Sequence, residues 1–271
     1  MARGGDIAYR ARKREHKRLS RIDLAAIWDD AKQMGAANRD ILGAVAGMFM
    51  FLPALVAEQL VKQPEPLAEN ATNDMMLARL TQYAELNWPV LLAFAAISSF
   101  AVLAMHALLL RGERPTVREA LVMALPVLPG FFLANLLQGL GAMGGFMLFI
   151  LPGCYLIGRL ALIAPVSAAE SQRNPLTILQ RSAALTRGNG WRVFGVLGLI
   201  FIMMIMLGVV LTSVVGVVAE LLLPADIADL LIAMVSALVE TARTVLVVLI
   251  CAALYRATAG APAAGAPFSS R

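Results

Sequence analysis

Four ionisable side chains stand inside runs that are otherwise apolar: His106, Arg159, Glu240 and Arg243. A charge held at the centre of a bilayer costs about 2.5–3.5 kcal/mol on insertion scales, so such residues are kept for pairing or for binding. Glu240 and Arg243 are three residues apart, which puts them on one helix face, where they can pair or reach together toward the interface. A sharper arrangement pairs Glu240 with Arg159, or joins all three into a cluster with one spare positive charge. A guanidinium grips a phosphate through two parallel N–H bonds, so that cluster would suit an anionic group such as a lipid phosphate. Counted along straight helices, Arg159 lies about 16 Å from Glu170, near mid-membrane, and Glu240 and Arg243 lie about 24 and 20 Å from Arg256. His106 is five residues from Arg111, close to the interface. A packed or hydrogen-bonded neutral imidazole is expected there rather than a proton relay.

Other chemistries lack their residues. Metal-assisted hydrolysis needs several carboxylates, usually with histidines; the chain has two histidines, His16 and His106, and no acidic cluster within an apolar run. Cys154 and Cys251 both sit in apolar runs and read as packing residues, without the spacing of a disulfide framework or a zinc site. Met48, Met50, Met203, Met204 and Met206 read as adaptable packing residues rather than metal ligands. No GxSxG, HExxH, phosphate-loop or dinucleotide fingerprint stands in a suitable context. No catalytic residue, metal or cofactor is therefore expected. An intramembrane enzyme would need at least two of His106, Arg159 and Glu240 within about 4 Å of each other around a cavity.

Long apolar runs must position these side chains. Hydrophobic residues make up 59% of the 271 positions and charged ones 15%, against about 45–50% and about 25% in soluble domains. Runs near the ~20 residues a crossing helix needs extend over about 41–61, 88–110, 121–142, 145–169, 193–223 and 230–255. They do not alternate apolar with polar residues, which excludes barrel strands. The last run leaves 230–239 open, as membrane helix or as an external amphipathic segment. Pro53, Pro126, Pro129, Pro152 and Pro165 interrupt the runs, as membrane helices tolerate when neighbours satisfy the freed carbonyls.

Sidedness follows the basic residues, which favour cytoplasmic loops. The amino-terminal segment, the stretches around Arg111 to Arg118 and Arg173 to Arg187, and the end at Arg256 then share the cytoplasmic face. The opposite face receives the acidic loop of Glu65, Glu69, Asp74 and Glu85, a Gly141 to Gly145 turn, and Asp226 with Asp229. A cleaved signal peptide is not expected, because about 40 mostly polar residues precede the first run. The sequon at Asn70 would matter only in a secretory-pathway organism.

The cytoplasmic stretches themselves read as interfacial helices. Leu24, Ile27, Trp28, Ala31 and Met34 fall at helical spacing. Thr116 and Glu119 have the form of a capping box. Asn174 and Pro175 form a cap and first position, with Gly188-Asn189-Gly190 as the stop. Trp28, Arg181, Arg187, Trp191 and Arg192 are the expected interface anchors. Residues 1–19 read as a disordered basic arm, 20–256 as the membrane domain and 257–271 as a disordered Ala, Gly and Pro tail.

The stretches LPGCYLIGRLALIAPVSAAE (Leu151 to Glu170) and PLTILQRSAALTRGNGWRVFGV (Pro175 to Val196) resemble the glycerophosphoryl diester phosphodiesterase membrane-domain family. The likeness rests on the Leu-Pro-Gly entry, Arg159, Ala164-Pro165, and the Arg181-Ser182 helix leading to Trp191-Arg192. It implies a polytopic membrane domain without phosphodiesterase chemistry, which in that family belongs to a separate soluble barrel. The expected fold is an all-α integral membrane bundle of six transmembrane helices in three hairpins. The expected function is that of a non-enzymatic inner-membrane protein of lipid or envelope homeostasis, or a membrane-embedded partner subunit. Its partners are membrane lipids, anionic ones included, and a protein partner or second copy, without nucleic acid. The competing reading is a transporter or channel for a small or amphiphilic solute, lined by Arg159, Glu240 and Arg243.

Overall fold

The computed structural model describes residues 23–62, 72–112 and 115–260, and every regular element among them is helical. The basic arm, residues 63–71 with the sequon's Asn70, and the tail from 261 onward lie outside the described residues. In chain order the helices are α1 (Leu24–Ala37), α2 (Arg39–Ala46), a π-helical turn (Gly47–Phe51), α3 (Leu52–Leu60), α4 (Asn73–Leu110) and α5 (Val117–Ala124). Then follow α6 (Leu128–Leu148), α7 (Ile150–Arg159), α8 (Ile163–Ala169), α9 (Pro175–Leu185), α10 (Gly190–Leu222) and α11 (Ala225–Ala259). Six stretches are long and apolar enough to cross a membrane: Arg39–Leu60, Asn73–Leu110, Leu128–Leu148, Ile150–Ala169, Gly190–Leu222 and Ala225–Ala259. The chain is an all-α membrane protein.

Local signals set the helix starts. Asp23 accepts from the Ala25 and Ala26 amides, and Asn174 from that of Leu176. The Thr116 hydroxyl accepts from Glu119 N–H while the Glu119 carboxylate accepts from Thr116 N–H at 2.8 Å, a complete capping box. Thr72 caps α4, so the segment read as an acidic loop, with Asp74, Arg79 and Glu85, is instead the first turns of a 38-residue helix. Asn87 ties this helix to the end of α3: its carboxamide accepts from Lys62 N–H at 2.8 Å and donates to Lys62 C=O at 2.9 Å.

Three expected boundaries move. The third run does not start its span at Leu121, because the chain leaves the helix around Pro126 and re-enters at Leu128. The Gly141 to Gly145 stretch does not turn; α6 continues to Leu148 and the reversal is at Phe149, φ −165°. Those glycines bring helices together instead. A Cβ on Gly145 would lie 2.8 Å from the Gly153 nitrogen, and one on Gly141 would lie 2.9 Å from the Leu156 side chain. The fourth run is not one straight helix, since α7 ends at Arg159 and the chain bends through 160–162. Residues 230–239 belong to α11, which starts at Ala225 and ends against Gly260 in the left-handed region at φ 72°.

The core gathers at the end where α1, α5, α8 and α9 surround the closing turns of α4 and α11. Leu103, Ala104, Leu162, Val166, Ile178, Ala252 and Leu254 have no exposed surface there. Small residues at these contacts let backbones approach closely. By contrast α10 presents Leu199, Phe201, Met203, Val210 and Val217 outward, a face that suits lipid.

Candidate functional site

Arg159 owes its position to the bend after α7. Leaving the helix frees backbone groups that lipid cannot satisfy, and α9 supplies their partners. Thr186 donates its hydroxyl to the Arg159 carbonyl at 2.7 Å, and Ser182 accepts from the Leu162 amide at 3.1 Å. A Cβ on Gly158 would fall 2.2 Å from the Gly190 carbonyl oxygen, so α7 meets the first turn of α10 backbone to backbone. The Arg159 stem lies against Gly190, and its guanidinium stands 5.9 Å from the centre of the Tyr155 ring. Tyr155 in turn stacks against Trp191 at 5.8 Å, and Trp191 meets Phe194 edge to face. The guanidinium has neither ion pair nor hydrogen bond among the described residues. Arg159 is thus at a helix end beside Trp191, and the stretch from it to Glu170 is bent rather than one straight helix.

Glu240 and Arg243 pair with each other on α11, Arg243 Nε donating to Glu240 Oε2 at 2.8 Å, with a second contact between Nη2 and Oε1. The guanidinium also lies 5.3 Å from the Phe201 ring centre on α10. Phe201 is eleven residues beyond Gly190, about 16 Å along α10. The structure therefore does not bring Arg159 to Glu240, and the three-residue cluster does not form. What Glu240 faces instead is a cavity of about 420 Å³ between α3, α4 and α11, whose walls include Ala57, Glu58, Tyr83, Phe94 and Ser236. Glu58 did not stand out in the sequence because it lies in the last turn of the first span. The rarity of carboxylates inside apolar runs was the signal that would have found it.

His106 lies elsewhere, in the core of α4, 1% exposed. Its Nδ1 is 2.8 Å from the Val102 carbonyl oxygen, which can only accept, so Nδ1 carries the proton and Nε2 is bare. Nε2 has no partner. The ring meets neither Arg159 nor Glu240 in any hydrogen bond or ion pair among the described residues.

The end holding the core is closed by polar groups that satisfy each other. Arg256, 8% exposed, pairs with Asp30 of α1 at 3.1 Å. The Tyr255 hydroxyl donates to Glu170 at 3.0 Å, and Glu170 also accepts from Arg181 Nε at 2.9 Å. That hydrogen bond, together with the carboxylate charge, raises the Arg181 pKa above its ordinary value. Arg111 donates to the Ala168 carbonyl at 2.9 Å and contacts the Ser171 hydroxyl, holding the turn in which Ser171 takes φ 51°. Trp28 and Trp191 are about half exposed, as are the ends of Arg181; Arg187 is exposed and Arg192 half-buried. Groups of three or more His, Cys, Asp or Glu placed to hold a metal are absent among the described residues. No protein family, curated protein or solved structure matches this chain.

Proposed function

We propose that this membrane protein works without catalysis, holding the phosphate of an anionic lipid at Arg159 as part of lipid or envelope homeostasis in a bacterial inner membrane. The observation that carries the reading is the Arg159 guanidinium, stacked on Tyr155 beside Trp191 yet without an acidic partner among the described residues. Tryptophan and tyrosine favour the headgroup level, where lipid phosphates lie. A guanidinium there can offer a phosphate two parallel hydrogen bonds. Arg192 follows Trp191 on the same first turn of α10 and adds positive charge. The closed end also carries Arg111, Arg118, Arg173, Arg181 and Arg187, and this bias favours a cytoplasmic face for that end and for both chain termini. Glu240 lines a cavity that neither Arg159 nor His106 lines. The resemblance of 151–196 to the phosphodiesterase membrane domains fits the same role.

The test is mass spectrometry of the lipids that co-purify from native membranes with the wild-type chain, Arg159→Leu and Arg159→Lys. Anionic lipid should be enriched on the wild type, fall about tenfold on Arg159→Leu, as loss of one charged hydrogen-bonding group predicts, and persist in part on Arg159→Lys. Equal retention by wild type and Arg159→Leu would overturn the proposal.

A further inference from the structure

The positive charge at the amino terminus has no counterpart in the fold. Eight of the 23 Lys and Arg fall in residues 1–22, against two of the 18 Asp and Glu. Setting the orientation of a first span uses basic residues within about 15–20 positions of its end. Arg10 to Arg18 stand more than twenty positions before Arg39, where that span begins, so orientation leaves most of this charge unused. The closed end does not compensate it either. The described carboxylates there are Asp23, Asp29, Asp30, Asp40, Glu119 and Glu170, and each already has a partner. Asp23 caps α1 and Glu119 caps α5. The other four pair with Lys32, Arg256, Arg39 and Arg181, respectively. Arg118, Arg173 and Arg187 are exposed at the same end, and their side chains make no hydrogen bond or ion pair among the described residues. The basic segment therefore meets further positive charge there, and its counter-charge must come from another molecule.

Helix α1 decides which molecule. It packs Ile27, Ala31 and Met34 inward, and the pairing of Asp30 with Arg256 fixes it to the end of the membrane helix α11. Leu24 and Trp28, one turn apart on the flank of that buried stripe, stay 43% and 44% exposed, while Asp29, Lys32 and Gln33 occupy the far side. A helix of this form lies in the interface plane with its tryptophan at headgroup level. Lys17, Arg18 and Arg21 are within six positions of its cap, Asp23, at most about 20 Å of extended chain. Their charge is thus delivered to the layer where lipid phosphates lie. Attraction to an anionic leaflet is strongest within a Debye length of it, about 8–10 Å. We infer that residues 1–22 bind the anionic headgroups of the leaflet at the closed end, with α1 as the tether. This contact spreads over several lipids and needs nothing from Arg159, so it goes beyond the single phosphate proposed there.

Resonance energy transfer from a donor on residue 8 to acceptor-labelled headgroups tests this, using Ala8→Cys in the full chain with Cys154→Ala and Cys251→Ala. The protein is placed in nanodiscs of phosphatidylcholine alone or mixed with phosphatidylglycerol. Transfer should be higher in the anionic discs and fall as salt is raised, the ratio of surface-held to free segment dropping about tenfold or more. Replacing Arg10, Arg12, Lys13, Arg14, Lys17 and Arg18 by Gln should abolish the difference between the discs; replacing the four arginines among them by Lys should keep it. Arg159→Leu should behave as wild type, so failure here and failure of the Arg159 reading are separate results. Size-exclusion profiles matching wild type establish insertion, and the lipid and salt series on the unaltered segment stands by itself where the neutralised chain does not insert. Equal transfer in the two discs, transfer indifferent to salt, a neutralised chain that still tells the discs apart, or a difference lost in Arg159→Leu overturns the inference. Release of the segment from anionic discs by duplex DNA at matched phosphate concentration does the same.

Discussion

Two stretches of α11 treat polar groups in opposite ways. Around Tyr255 and Arg256 the protein itself supplies the partners: Asp30 from α1, Glu170 from the turn after α8, and through it Arg181 of α9. The neighbouring Ala252, Ala253 and Leu254 are fully enclosed. Four turns earlier, around Glu240, the same helix stands off from α2 and α3, two openings flank the seam, and Glu58 is left without a partner among the described residues. Inside a bilayer no water is at hand to complete an unsatisfied group. A stretch that closes on itself is built for rigidity, whereas the carboxylates of Glu58 and Glu240 are exposed and hold nothing together across the seam. Substitutions should therefore be costly at the first stretch and nearly free at the second.

The largest effect is expected at Arg256. Removing one member of a buried ion pair leaves the other charge stranded, which costs about 3–5 kcal/mol in known cases. Arg256→Leu would strand Asp30, itself largely buried, and release α1 from the end of α11. A correspondingly large fall in unfolding free energy, measured by denaturant titration in mixed micelles, is the expected outcome; a change below about 1 kcal/mol, the size of an exposed pair, would mean that this end is not closed as described.

The next effect belongs to Gly158. An added methyl would sit 2.2 Å from the Gly190 carbonyl oxygen, a backbone atom that cannot swing aside. Overpacking of this kind costs about 1–3 kcal/mol. Gly158→Ala should therefore lower stability by less than Arg256→Leu, yet it should also push α7 from α10 and disturb the Tyr155, Arg159 and Trp191 contacts. A stability equal to wild type would show that the two backbones are not held in contact.

How much of this was legible beforehand follows from how local each signal is. The six apolar stretches, the Thr116 and Glu119 capping box and the Asn174 cap depend on residues within a turn or a span of each other, and the sequence displays them directly. The bend at 160–162 is different. It is stabilised by Ser182 and Thr186, more than twenty residues away from Arg159, so nothing next to Arg159 announces that its helix ends there. Gly141 to Gly145 has the composition of a turn, and only the approach of α7 shows that these glycines serve packing. The first turns of α4 were hidden because their polar residues resemble a loop; the Thr72 cap and the anchoring of Asn87 to Lys62 are what make them helix. The charge of the cavity followed the same logic. With Glu58 unnoticed, Glu240, Arg243 and Arg159 add up to a spare positive charge, whereas the fold keeps Arg159 apart from the other two and lines a cavity with Glu58 and Glu240.

The smallest effect on stability is expected at Glu58. It is exposed and makes no hydrogen bond or ion pair among the described residues that glutamine would lose. Glu58→Gln should leave unfolding free energy within about 0.5 kcal/mol of wild type, the range of substitutions that break no contact. The same titration that reads Arg256→Leu reads this variant, so the two stretches are compared on one scale. A marked loss of stability in Glu58→Gln would mean that the carboxylate has a structural partner, and the contrast between the closed end and the open seam would then be lost.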